Sequence, residues 1–271
     1  MADPSAGVRH HRLTRDAVVV EGPDAVGYLQ GQLSQDVAGL GVGESAWSWL
    51  LAPQGKVDAL VRVARAGDER LVVDTDAGWG EAVLDRLARF KLRTRAELTL
   101  TILELLAVRG GTAEGGSLAV LWAGEDAVDL VDTDAPGPGR ELGAGEWEAA
   151  RITAGVPVMG AELTERTIPA ETGLVPVTVS FTKGCYTGQE LVARIDSRGG
   201  NVARHLRLLR SAEPLGPGAE LVAGAKVVGT VTSASPLGPV ALGYVGRAVE
   251  PGATLDADGI PVEVVALPAR G

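Results

Sequence analysis

From Arg204 onward the chain breaks into short β-rich runs, His205–Leu209, Ala225–Thr232, Val240–Val245 and Ile260–Ala266, parted by glycine- and proline-bearing turns at near-regular spacing. Short strands so spaced bury their alternate side chains by closing into a small barrel or stacking as a sandwich. Frequent turning is general here: 37 of 271 residues are glycine and only 4% are aromatic, so Val, Leu and Ala must fill the core.

The front half mixes helical and strand periods. A strand is predicted at Ala17–Val20. Gly22-Pro23-Asp24 then opens a helix with Val26, Leu29, Leu33 and Val37 at helical spacing, ended by Gly39. Ala46–Ala52 and Val57–Ala64 read as strands around Pro53-Gln54-Gly55. Arg70–Val73 and Leu98–Leu106 are further strands, and Trp79, Val83, Leu84, Leu87 and Phe90 mark a second helix. That order is α+β, not repeated βαβ winding. Asp132–Gly145, rich in Gly, Pro and acids, is predicted to be a connection crossed by few contacts. A short helix at Trp147–Thr153 and a strand at Val177–Phe181 are expected after it.

Thirty-five acidic against 25 basic residues give −10 at neutral pH, which disfavours non-specific attraction to nucleic acid or anionic lipid. The single cysteine, Cys185, excludes an intramolecular disulfide and an all-cysteine metal site within one chain, though not a ligand shared between chains. His10, His11 and His205 are too scattered for the usual metal constellations, so no metal site is expected. No apolar run reaches signal-peptide or membrane-span length, so a cytoplasmic chain without a membrane partner is expected.

Chemistry concentrates in Phe181-Thr182-Lys183-Gly184-Cys185-Tyr186-Thr187-Gly188-Gln189-Glu190, followed by the apolar Leu191, Val192 and Ile195 of a helix predicted to start near Thr187. Thr187 and Glu190 have the spacing of a capping box, which accounts for Glu190 without any ligand. Cys185 has two readings: a small buried hydrophobe, or a thiolate favoured by the helix N-terminus and the ammonium of Lys183. Gly184 and Gly188 let the backbone turn or approach closely. Arg194 and Arg198 share a helix face or merely a solvated one. Phosphate-loop, dinucleotide and nucleophile-elbow motifs are absent.

Lys183-Gly184-Cys185-Tyr186-Thr187-Gly188-Gln189-Glu190 with Arg194 resembles the signature of the YgfZ family of folate-binding proteins, relatives of the glycine-cleavage T-protein. Leu29-Gln30-Gly31-Gln32-Leu33-Ser34-Gln35-Asp36, Leu50–Val57, Ile168-Pro169-Ala170-Glu171 and Gly229-Thr230-Val231-Thr232-Ser233 extend the likeness along nearly the whole chain. The resemblance implies a T-protein-like arrangement of two α+β domains around a central channel plus a C-terminal β-barrel. Residues 1–45 with 132–203 would form a discontinuous folate-binding domain, 46–131 a second, and 204–271 the barrel. It further implies tetrahydrofolate as cofactor and a part in iron–sulfur cluster assembly or repair, with a cluster held at most transiently. Tetrahydrofolate and iron–sulfur enzymes or cluster-assembly proteins would be the partners, any effect on tRNA being indirect and the chain a monomer.

On this resemblance Cys185 and Lys183 are the catalytic candidates. Asp58, Gln189, Glu190, Arg194 and Trp49 are the cofactor-binding ones, with Trp47 a further candidate for the pterin slot. Asp58 falls close to the place of the T-protein aspartate that faces the folate amine. Thr153, in Arg151-Ile152-Thr153-Ala154-Gly155, stands where the T-protein has an acidic residue that grips the pterin. Three readings remain open: a folate-dependent accessory protein with a functional thiol, a one-carbon transferase using Asp58, and a folate-binding module without chemistry.

Overall fold

The computed structural model describes residues 7–112, 117–131 and 134–270. The front of the chain carries β1 (Arg9–Glu21), α1 (Ala25–Gln32), β2 (Ser45–Leu51), β3 (Val57–Arg65), β4 (Arg70–Asp76) and α2 (Gly80–Arg89). It continues through β5 (Glu97–Arg109), β6 (Ser117–Leu118), β7 (Ala127–Val131), β8 (Arg140–Glu141) and α3 (Ala144–Thr153). A 3-10 turn at Pro169–Thr172 leads to α4 (Val175–Thr178) and α5 (Gln189–Ser197). The tail comprises β9 (Arg204–Ser211), β10 (Glu220–Ala223), β11 (Lys226–Ala234), β12 (Val240–Gly246), β13 (Thr254–Ala257) and β14 (Ile260–Val265).

The expected α+β class and barrel are present. The tail closes as a barrel in the order β10-β11-β12-β9-β14-β13, which decides between barrel and sandwich. The front forms an eight-stranded sheet, β2-β3-β4-β1-β5-β7-β6 with β8 beside β1, curved as a half-barrel. One sheet thus takes in β1 of the first expected domain and β2–β7 of the second. Its main core packs Val18, Val20, Leu29, Leu33, Trp49, Leu51, Val61 and Val73 beneath α1 and α2.

Several elements depart from expectation. β1 runs 13 residues because it serves three partners, β5 along its whole length on one edge, and on the other β4 over Arg15–Glu21 and β8 at Arg9 and His10. α1 stops at Gln32 rather than near Gly39. The Gln30 carboxamide takes over the amides of Val37 and Ala38 and holds that segment out of the helix. Val177–Phe181 is not a strand: Val175–Thr178 makes a helical turn, started by Pro176 and closed by the Thr178 hydroxyl on Leu174 O at 2.7 Å. The expected connection Asp132–Gly145 begins with two residues outside the described ones. Its later part is pinned, with Arg140 and Leu142 amides on Val8 and His10 carbonyls at 3.0 and 2.8 Å. No helix among the described residues is long and apolar enough to cross a membrane.

Candidate functional site

The two longest motifs, far apart in sequence, form one structural unit. The Lys183 ammonium donates to the main-chain oxygens of Gln30, Leu33 and Gln35 at 2.6, 2.7 and 2.8 Å, capping the end of α1 with all three of its protons. Burial lowers Lys183 to about 8, with Asp36 pulling the other way, so the charged form prevails at neutral pH. The Thr187 amide reaches Gly31 O at 3.1 Å, and Ser34 binds Thr178 O and Ser48. Leu29–Asp36 is therefore the cradle on which the cysteine loop rests.

The other side of that loop rests on the β2–β3 turn. Gly55 and Gly188, both at positive φ (79° and 82°), face each other. A Cβ on Gly188 would stand 2.6 Å from Ala52 O, and one on Gly55 2.5 Å from Leu191 Cβ. That contact also corrects the expected capping box. α5 starts at Gln189 with Gly188 as N-cap, and no side chain caps it. Gln189 instead turns its Oε1 back to the Tyr186 amide at 3.2 Å.

Cys185 is exposed, so the buried-hydrophobe reading fails. Glu190 and Arg194 are exposed on α5 and form no ion pair with a described residue. Tyr186 is buried beside the Lys183 ammonium, and burial pushes its hydroxyl up to about 12. Asp58 is ion-paired to Arg86 at 2.8 Å, and Arg86 also binds Gln32 and Leu51 O. Trp49 is wholly buried in the core, its indole N–H without a partner. None of these seven candidates lines either of two cavities bordered by tryptophans.

Those cavities lie in the hollow of the half-barrel. One, of about 290 Å³, is walled by Trp47, Trp122 and Trp147, with Arg15, Arg109 and Arg151 facing Asp76, Asp129 and Glu148. The other, of about 270 Å³, shares Trp47, Val120, Leu121 and Trp122 and adds Val177 and Arg270. Trp47, a candidate from sequence, lines both cavities. Trp122 stacks on Trp147 at 5.1 Å, with the Arg109 guanidinium 4.5 Å from the Trp122 ring.

The floor rests on an alternating chain of buried and half-buried charges, Asp76–Arg15–Asp74–Arg62–Asp129–Arg109, linked by ion pairs, of which Asp76, Arg15, Asp129 and Arg109 line the cavity. Burial raises the Asp129 carboxyl, but Arg109 and Arg62 outweigh it and hold it below the usual carboxylate range. Two buried polar atoms of this floor, Arg15 Nη2 and Arg109 Nε, have no hydrogen-bond partner, while Asp129 Oδ1 is ion-paired with Arg109 Nη2 at 2.9 Å. Arg270 closes the second cavity without a carboxylate. It donates to Leu121 O, Ala154 O and Gly155 O, and burial lowers it to about 10.

Sequence reasoning missed Asp129, Arg62 and Arg109. Their signal was a lone charge inside an otherwise apolar strand, as in Ala-Val-Asp-Leu-Val and Leu-Val-Arg-Val-Ala. Thr153 is exposed and bonds Ala149 O along its own helix, while Glu148 and Arg151 face the cavity. Among the described residues no group of three or more His, Cys, Asp or Glu could hold a metal ion.

No protein-family model matches the chain. An uncharacterized protein of Haemophilus influenzae is 30% identical over 230 residues, 80% of each chain. The tRNA-modifying protein YgfZ of Cronobacter sakazakii is 32% identical over 215 residues, and that of Escherichia coli 29%. Each of these two matches spans 67% of this chain and 65% of the YgfZ protein. Among solved structures, the glycine cleavage system aminomethyltransferase T from Bartonella henselae superposes with a TM-score of 0.81, covering 98% of this chain and 87% of its own, at 22% identity. That likeness concerns the fold.

Proposed function

The chain belongs to the YgfZ-type family of proteins with the aminomethyltransferase fold, and on that premise we propose that it is a cytoplasmic, tetrahydrofolate-binding accessory protein. It would serve iron–sulfur cluster assembly or repair, support tRNA-modifying cluster enzymes indirectly, and use Cys185 as its functional thiol.

The observation that carries the folate part is an aromatic slot lined by Asp129, Arg15 and Arg109, with Arg15 Nη2 and Arg109 Nε left without hydrogen-bond partners. The aminopyrimidinone ring of a reduced pterin is flat, and its edge presents N–H donors beside a carbonyl oxygen. Trp47, Trp122 and Trp147 offer the flat walls. The Asp129 carboxylate, already paired with Arg62 and Arg109, can also accept from the N–H groups through its remaining lone pairs, and Arg15 Nη2 and Arg109 Nε are donors for the carbonyl. Arg270, a cation facing no carboxylate, suits the glutamate end of the ligand in the adjoining cavity. Tetrahydrofolate supplies, when bound, a secondary amine that carries or accepts a one-carbon unit.

The thiol stands apart from that slot. Lys183 spends its protons on α1, so its work is to position the loop and keep Cys185 presented to a partner. With one cysteine, this chain needs ligands from another protein to hold a cluster even briefly. Asp58 is engaged by Arg86 and does not line the cavities, so nothing in the site favours the one-carbon transferase over the accessory role.

The test is rescue of cluster-enzyme activity in a strain lacking the protein. Cys185→Ser should fail to rescue while accumulating as folded protein. Rescue equal to wild type would remove the thiol from the function.

A further inference from the structure

Four exposed large apolar side chains crowd one stretch: Phe90 and Leu92 after α2, and Leu100 and Ile102 on β5. Leu92 is 83% and Ile102 68% exposed. β5 is paired with β1 along its whole length, but β7 covers its other edge only from Leu105 to Arg109. Over Glu97–Glu104 no strand among the described residues meets that edge, which leaves a row of main-chain N–H and C=O groups open. Sheet edges are ordinarily guarded by charge, proline, a bulge or short length. Leu98–Leu103, Leu-Thr-Leu-Thr-Ile-Leu, has none of these, and charge stands only at Glu97 and Glu104.

An extended strand satisfies such an edge, and this edge complements itself. In an antiparallel pair related by a two-fold axis, opposed residues share a face of the sheet, so the axis must pass through a residue position. With the axis at Leu100, Leu98 meets the partner's Ile102 and Thr99 meets the partner's Thr101. Apolar side chains then adjoin on one face and hydroxyls on the other. The ends agree in charge. The partner's Glu104 falls opposite Ala96, beside Arg95, which pairs with Asp24, and near Arg93, which has no ion-pair partner among the described residues.

We propose that the Glu97–Leu103 edge is a homodimer interface, a second copy adding its β5 antiparallel about Leu100 to make one continuous sheet, in place of the monomer expected from sequence. Seven residues span about 23 Å, so the interface is small and the dimer reversible.

Sedimentation velocity over rising concentration tests this on the full chain. Wild type should shift from monomer to dimer. Leu100→Lys and Leu100→Glu should each remain monomeric, and their equimolar mixture should dimerise, because ammonium and carboxylate then face each other at the axis. Thermal melts report whether the variants fold, and Ile102→Lys, at a more exposed position, is a second disrupting variant. A wild type monomeric throughout, a dimer indifferent to both lysine substitutions, or a mixture that stays monomeric overturns the proposal.

Discussion

The Lys183 ammonium lies 2.6 Å from the main-chain oxygen of Gln30, 153 residues away in sequence, and through this contact the cysteine loop is built onto the first helix. Lys183→Met leaves three carbonyls of the α1 end without donors. It should lower stability by about 2 to 3 kcal/mol. Urea unfolding measures the loss, and Lys183→Arg should restore part of it.

Gly188 is the tighter of the two facing glycines with respect to backbone. Gly188→Ala combines an unfavourable φ with a Cβ 2.6 Å from Ala52 O, and the main chain cannot move aside as a side-chain tip can. A loss of about 2 to 4 kcal/mol is expected. Hydrogen exchange should show it as faster opening of the Tyr186–Leu191 amides, with the barrel amides unchanged.

Asp129 sets a pH dependence. Its native carboxyl titrates below the ordinary aspartate value, so its contribution to stability is present above about pH 4 and lost as pH falls through the lower native value. Asp129→Asn should flatten the acid limb of the stability curve. It should also cost about 3 kcal/mol at neutral pH, since Arg62 and Arg109 lose their shared counter-ion.

Thr153 is on the solvent side of α3. Restoring a carboxylate there by Thr153→Glu should leave folate affinity unchanged and stability within about 0.5 kcal/mol of wild type, by calorimetry and thermal melting.

Local elements were legible where periodicity was strong. β2, β3, β9, β11, β12 and β14 fall close to their predicted places because their runs of Val, Leu and Ala bounded by turn residues have one way to enter a core, whereas the four-residue β10 and β13 are too short to show such a run and were not legible. The helical turn at Val175–Thr178 was not legible, since its β-branched residues carry strand propensity and only the Thr178 and Ser34 bonds decide the outcome. The motif around Cys185 was visible as a signature, but the part played by Lys183 was not: its three acceptors are main-chain oxygens, which no residue pattern spells out. The cavity was hidden for another reason. Its floor is assembled from single charges on β1, β3, β4, β5 and β7, each unremarked in its own strand and meaningful only when the register sets Arg62 against Asp74 and, across the hollow, Asp129.

If the aromatic cavity binds tetrahydrofolate independently of the thiol, anaerobic calorimetric titration of tetrahydrofolate into wild type, Cys185→Ser and Asp129→Asn will separate the two. Saturable one-site binding of equal strength is expected in wild type and Cys185→Ser, and binding weakened at least tenfold in folded Asp129→Asn. Absence of binding to wild type, or undiminished binding to Asp129→Asn, would contradict folate binding in this cavity.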